Sequence, residues 1–289
     1  MDKMKFKKQP ITVKITYVLF FTMYVLFAFL YIFPLFWTLM NSLKTAEEYF
    51  ADGLAMPKTW EFVNYLRVFT EFKIRQYNYM DMLFNSLWIL VVNVACEILA
   101  SAMLAYALAR YRFPGKEFLY TVVIFENTIP IIGSGAASYK LAYQLNMVDN
   151  PMLIWLRWLS AFDFAFIVFY GNFKGISMTY SEAAKMDGAS NWRVLFQIIF
   201  PQAFPCIAAL SITSATSVWN NYSISMIYLR SYPNLSYGIY LFNSASNYIE
   251  NSKPIYFAAT VISCIPVILL YAASQKLILS NMTAGGLKG

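Results

Sequence analysis

The chain has no histidine and only three cysteines in 289 residues. The missing histidine removes the commonest general base and proton shuttle. Cys96, Cys206 and Cys264 all fall in apolar runs without metal-ligand spacing, which reads as small hydrophobes in helices. No GxxxxGK followed by Ser or Thr occurs, so the usual phosphate-cradling loop is lacking. With no nucleophile arrangement either, a membrane enzyme has little support. Charge is the other shortage. Asp, Glu, Lys and Arg make up 13% of the chain, where a soluble domain carries about a quarter. That deficit points to lipid as the solvent.

What is present fits that solvent. Hydrophobic residues reach 59% and the mean hydropathy is +0.50. Several apolar runs approach the ~20 residues that cross a bilayer as helix. They lack period-two alternation, so helices are expected rather than a barrel. The reading is an all-α membrane protein with six transmembrane helices at approximately 13–40, 83–109, 117–140, 152–173, 202–226 and 255–279. The first run follows Lys3, Lys5, Lys7 and Lys8 as a signal peptide would, but it is too long and no small-residue cleavage site follows it. Residues 1–12 are expected to be an N-terminal tail, 13–280 one membrane domain, and 281–289 a C-terminal tail. Polar loops are expected from Asn41 to Asp81 and from Ile227 to Lys253. No internal repeat or low-complexity tract is found.

Six spans place both termini on one side. Thirteen Lys/Arg and four acids lie on that side, against eight and eight opposite. The positive-inside rule therefore puts both termini in the cytoplasm. This asymmetry accounts for the basic excess without nucleic acid as a partner. The charges left within spans are Glu97, Glu126, Arg157 and Asp163. Such charges are costly in lipid and default to function. The alternative is packing, with Glu97 paired to Arg157 across helices, or with Glu126 and Asp163 near helix ends.

One polar stretch lies between membrane-length runs: Glu182-Ala183-Ala184, then Asp187-Gly188, Ile198 and Phe200-Pro201. Ser181 is the candidate N-cap, which would put Glu182 in the first turn. Ala183 and Ala184 are small helix formers that allow close approach. Gly188 supplies a left-handed turn. A second helix from Asn191 would present Trp192, Leu195, Phe196 and Ile199, with Pro201 and Pro205 opening the fifth span. By itself this is also the pattern of an ordinary interfacial helix.

The spacing resembles the EAA signature of permease subunits of bacterial ABC importers: EAA, three residues, Gly, nine residues, Ile, one residue, Leu-Pro. Phe200 stands where that family usually has Leu. The stretch is similar to the MalG-like carbohydrate branch. So are Pro34-Leu-Phe-Trp37 with Ser42-Leu-Lys44, Ala109-Arg-Tyr-Arg-Phe-Pro-Gly115, Trp219-Asn220 and Thr283-Ala-Gly-Gly-Leu-Lys-Gly289. Asn221 replaces a frequently acidic residue. The resemblance runs nearly end to end.

It implies a MetI-like type I importer permease fold in the bacterial inner membrane. The loop at about 174–201 would be a coupling helix, with Glu182, Ala183, Ala184, Asp187, Gly188 and Pro201 meeting a separate ATPase. The implied partners are a second, non-identical permease, two ATPase subunits and an extracytoplasmic solute-binding protein. ATP and Mg would sit on the ATPase, with no cofactor or metal on this chain. The implied cargo is carbohydrate, with a polyol or glycerol phosphate as the alternative. An ion-coupled carrier is the competing class and leaves the Glu182 motif unexplained.

For the solute path the candidates are Glu126, Asn127, Trp219, Asn220, Asn221 and Tyr222. An aromatic ring suits the C–H face of a sugar, and amides bond its hydroxyls. The other reading of the Trp219 cluster is an interfacial belt with polar helix packing. Asn127 and Pro130 also point to an interrupted third helix, which either frees backbone groups towards a cavity or is a packing kink.

Overall fold

The computed structural model describes residues 10–129, 133–246 and 252–285, with side chains in the last stretch as far as Gln275. Lys3 to Lys8, Pro130, Gly286 and the end of the expected C-terminal tail lie outside the described residues. The chain divides into two compact units, Met1–Phe72 with Phe242–Ile262, and Lys73–Leu241 with Ser263–Gly289.

The first unit begins with α1, Ile11–Ser42. Its side chains from Ile11 to Phe33 are mostly exposed and apolar, as expected of a helix solvated by lipid. The polar segment after it folds on itself. Thr45 caps α2 (Ala46–Ala51) by accepting from Glu48 N–H. The next helix, α3, covers Asn64–Glu71. The buried Asn64 amide donates to the Ser42 and Lys44 carbonyls at 3.0 and 2.9 Å, which closes this loop. Trp37 donates to the Gly53 carbonyl and meets Phe257 edge-on, while Phe72 stacks on Phe242. Lys44 is buried and donates to the Asp52 carbonyl. Desolvation pushes its pKa below the ordinary lysine value, against the pull of Asp52 and Glu48.

The second unit opens with a two-stranded antiparallel hairpin, β1 (Lys73–Ile74) and β2 (Tyr77–Asn78). A reciprocal cap between Asn78 and Asp81 starts α4, Tyr79–Arg110. Then come α5 (Lys116–Thr128), α6 (Gly135–Gln144), α7 (Trp155–Trp158) and α8 (Phe164–Gly175). Next are α9 (Met178–Met186), α10 (Asn191–Val194), a π-helical turn at Leu195–Ile199, and α11 (Phe200–Asn220). A second π-helical turn at Ile224–Tyr228 precedes α12, Leu235–Ala245. The last helix, α13, is Ser252–Gly285. The core sits where α4, α8 and α11 meet. Ala102 and Ala105 of α4 are buried beside Phe166, Phe169 and Phe173 of α8, with Ile199 and Ala203 closing the cluster. Small residues on one helix let large rings from the next fill the gap at interior density.

Among the described residues, four helical runs are long and apolar enough to span a membrane: Ile11–Ser42, Tyr79–Arg110, Asn191–Asn220 and Ser252–Gln275. The third span is interrupted, as Asn127 and Pro130 suggest, and the expected fourth span is broken too. At the third, α5 stops at Thr128, and Gly133 is left-handed (φ 89°) before α6 restarts. At the fourth, Asp163 accepts from Phe166 N–H and caps a fresh helix, which separates α8 from α7. The expected boundary at Pro201 is absent. The chain is helical from Asn191 through Asn220, because the widened turn at Leu195–Ile199 accommodates a proline lacking its N–H. The fifth span ends at Asn220, short of the expected residue 226. At the C-terminus α13 continues to Gly285, into the expected tail, since no proline or glycine lies between Pro266 and the Gly285-Gly286 pair.

Candidate functional site

Two features of the second unit combine polar side chains with shape. The first is the turn after α9. The expected cap at Ser181 is not formed. Ser177 takes that place, accepting from Thr179 N–H at 3.3 Å. Ser181 is buried inside α9, its hydroxyl without a hydrogen-bond partner, and Glu182 lies beyond the first turn. The start is displaced because Arg110, at the end of α4, donates to the Ile176 carbonyl at 2.8 Å and reaches the Met178 sulfur. This fixes the chain one turn earlier.

The end of α9 is as the sequence predicts. Gly188 is left-handed (φ 80°). Its N–H donates to the Lys185 carbonyl at 3.0 Å, and Ala189 N–H to the Ala184 carbonyl at 2.9 Å. This pair of bonds is the Schellman closure of a helix end. Glu182, Ala183, Asp187 and Gly188 are exposed, and Ala184 is half-buried against the core. Of the apolar residues expected on one face of the next helix, Leu195 and Ile199 are buried. Trp192 and Phe196 stack on each other and stay exposed, as do Tyr180 and Met186. Pro201 is exposed in the first turn of α11.

The second feature is a cavity of about 750 Å³, lined by Asn93 and Glu97 of α4, Glu126 of α5, Arg157 and Trp158 of α7, Asp163, Asn221 and Tyr228, among others. The breaks in the expected third and fourth spans create these positions, since Glu126 lies in the last turn of α5 and Asp163 at the start of α8. The packing alternative, a Glu97–Arg157 pair, is not made. Glu97 accepts from the Ser214 hydroxyl at 2.6 Å. The Arg157 guanidinium lies over the Tyr228 ring, 4.1 Å from its centroid. The Ser101 hydroxyl donates to the two Asp163 carboxylate oxygens at 2.8 and 2.9 Å.

The cluster expected at 219–222 is split. Trp219 is buried, and its ring N–H donates to the Ser263 carbonyl at 3.1 Å. The Asn220 amide donates back to the Thr216 carbonyl. Asn221 lines the cavity. Tyr222 stacks on Tyr240, ring centroids 4.9 Å apart. Asn127 is exposed at the end of α5, and its amide donates to the Val123 carbonyl. Asn93, Arg157, Trp158 and Tyr228 were not among the expected path residues. A charge within an apolar stretch was the only signal for any of them.

Residues 97–283 match the family described as binding-protein-dependent transport system inner membrane component. A diacetylchitobiose uptake system permease protein of Streptomyces coelicolor is 30% identical, over 90% of this chain and 85% of its own length. An arabinooligosaccharides transport system permease protein of Bacillus subtilis is 29% identical over 96% of both. Among solved structures, a bacterial ABC transporter involved in import of the acidic polysaccharide alginate superposes with a TM-score of 0.78. It has 23% identity and covers 93% of this chain and 98% of that one. The fold and the matched span together place this chain in the family of binding-protein-dependent transport system inner membrane components.

Proposed function

We propose that the chain is one permease subunit of an ATP-driven carbohydrate importer in a bacterial cytoplasmic membrane. Both termini face the cytoplasm, and the broken third and fourth spans bring the number of crossings to six. The observation that carries the reading is the closed turn at Gly188. It presents Glu182, Ala183 and Asp187 beside exposed Tyr180, Met186, Trp192 and Phe196. Exposed apolar groups gathered around a rigid polar turn suit a protein partner. That partner is a separate ATPase, two copies of which hold ATP and Mg, while this chain binds no cofactor.

The helical run that begins after this turn, Asn191 to Asn220, ends next to Asn221 at the cavity. Movement of the ATPase groove is thus delivered to the solute path by a continuous element. A second, non-identical permease forms the other half of the path, and an extracytoplasmic binding protein supplies solute. The cargo is an oligosaccharide, the class named for the diacetylchitobiose and arabinooligosaccharide permeases. The test is affinity capture of the tagged chain from its native membrane in mild detergent, followed by mass spectrometry. Recovery of an ATPase, another permease and a solute-binding protein is expected. A chain that comes out alone and drives uptake from an ion gradient overturns the reading.

A further inference from the structure

The four charges of the cavity do two different jobs. Glu97 and Asp163 are committed to the protein. Glu97 accepts from Ser214, while Asp163 accepts from Ser101 and from Phe166 N–H. These bonds join α4 to α11 and to the start of α8, so both acids hold the cavity wall. Glu126 and Arg157 are not committed in this way. Both are exposed to the cavity and neither makes an ion pair or side-chain hydrogen bond among the described residues. Arg157 is nevertheless held, because its guanidinium rests on the Tyr228 face. A guanidinium stacked on a ring keeps its N–H donors in plane and free. Asn221 is similarly oriented. Its side-chain oxygen accepts from Ser223 N–H, which leaves the amide N–H groups for the cavity.

We infer that Arg157, Asn221 and Glu126 form a saccharide subsite on this chain, selective for neutral sugars over uronates. This rests on the carbohydrate-importer reading above. The chemistry is matched to hydroxyl groups, each of which both donates and accepts. Arg157 and Asn221 supply donors fixed in direction, and Glu126 supplies an acceptor. A saccharide carboxylate offers only acceptors. It would find one guanidinium but three carboxyl groups in the same wall. Like charge at close range excludes a partner more effectively than a missing contact does. Because the donor groups are already oriented, little ordering is lost when a sugar arrives.

The experiment uses the intact transporter, co-purified and reconstituted in vesicles with its binding protein. Uptake of N,N′-diacetylchitobiose, arabinotriose and an alginate trisaccharide is measured first. The wild type is expected to carry a neutral sugar and not the uronate. Arg157→Ala and Glu126→Gln should each raise KM for the carried sugar by about tenfold in the assembled complex, the loss of one charged hydrogen bond. Arg157→Lys should recover part of the loss, and Glu126→Lys should admit the uronate. Wild-type kinetics in both Arg157→Ala and Glu126→Gln overturn the subsite while leaving the importer intact. Efficient wild-type uptake of the alginate trisaccharide overturns the selectivity. Failure of an assembled wild type to carry any saccharide overturns the carbohydrate reading and the subsite with it.

Discussion

Substituting Gly188 isolates backbone conformation from packing at the proposed ATPase contact. A Cβ built on Gly188 meets nothing within 4 Å, yet φ is +80°. The cost of a side chain here is therefore conformational and not steric against neighbours. An L-residue in the left-handed region pays about 1–2 kcal/mol, and a β-branched residue is worse placed still. That penalty opposes the two closing bonds, Gly188 N–H to Lys185 and Ala189 N–H to Ala184. It should reduce the population of the closed turn by about 5- to 30-fold relative to open forms. If the ATPase reads the closed turn, substrate-stimulated ATP hydrolysis in the reconstituted complex should fall in the order Gly, Asn, Ala, Val. Asn stands second because its side chain tolerates this conformation. Gly188→Val should still co-purify with its partners at reduced stimulation. An assembled Gly188→Val complex with wild-type stimulation and uptake refutes the argument.

Three further outcomes are expected. Ser101→Ala removes the side-chain donor to Asp163 and should lower thermal stability in detergent by about 1–3 kcal/mol; an unchanged melting point would show the carboxylate is satisfied otherwise. Trp219→Ala should be primarily a stability mutant, losing about 3–5 kcal/mol, whereas Trp219→Phe should retain transport; normal stability with altered sugar selectivity would return Trp219 to the solute path. Glu48 is held below its ordinary carboxyl pKa of 4.5, chiefly by the Thr59 hydroxyl. Its contribution is present above that value and is lost as pH falls through the lower folded value. Protection of the Thr45–Thr59 loop against hydrogen exchange, corrected for the intrinsic rate, should fall with acid over that window, and Thr59→Val should weaken the dependence.

The long elements were legible because lipid solvation leaves a crude signal. The runs from Ile11, Tyr79 and Ser252 are apolar over lengths no soluble core needs. The interruption of the third span was legible near Asn127, but the break in the fourth was harder to read, since it depends on a single competing bond. Asp163 ends one span by capturing Phe166 N–H, an outcome that hydropathy cannot distinguish from a buried charge within a helix. Ser177 and Ser181 are both competent caps. The choice between them was made by Arg110, far away in sequence, through the Ile176 carbonyl. Gly188 was read correctly because the left-handed turn is a local property. Trp219 and Asn221 lie close together in sequence, but one faces Ser263 and the other the cavity. Composition favours sugar chemistry equally for both, so only the end of α11 separates them.

The π-helical turn at Leu195–Ile199 has a mechanical consequence. Residues Asn191 to Asn220 form one helical run of 30 residues through this turn, roughly 45 Å along its path at 1.5 Å per residue. A rod of that length pivoting about one end by about 5° moves the other end by about 4 Å, more than a hydrogen bond's reach. If the proposed coupling holds, the stiffness of this widened turn would bear on how much of a movement at Trp192 reaches Asn221. A flexible residue placed there would absorb the tilt before it reached the cavity.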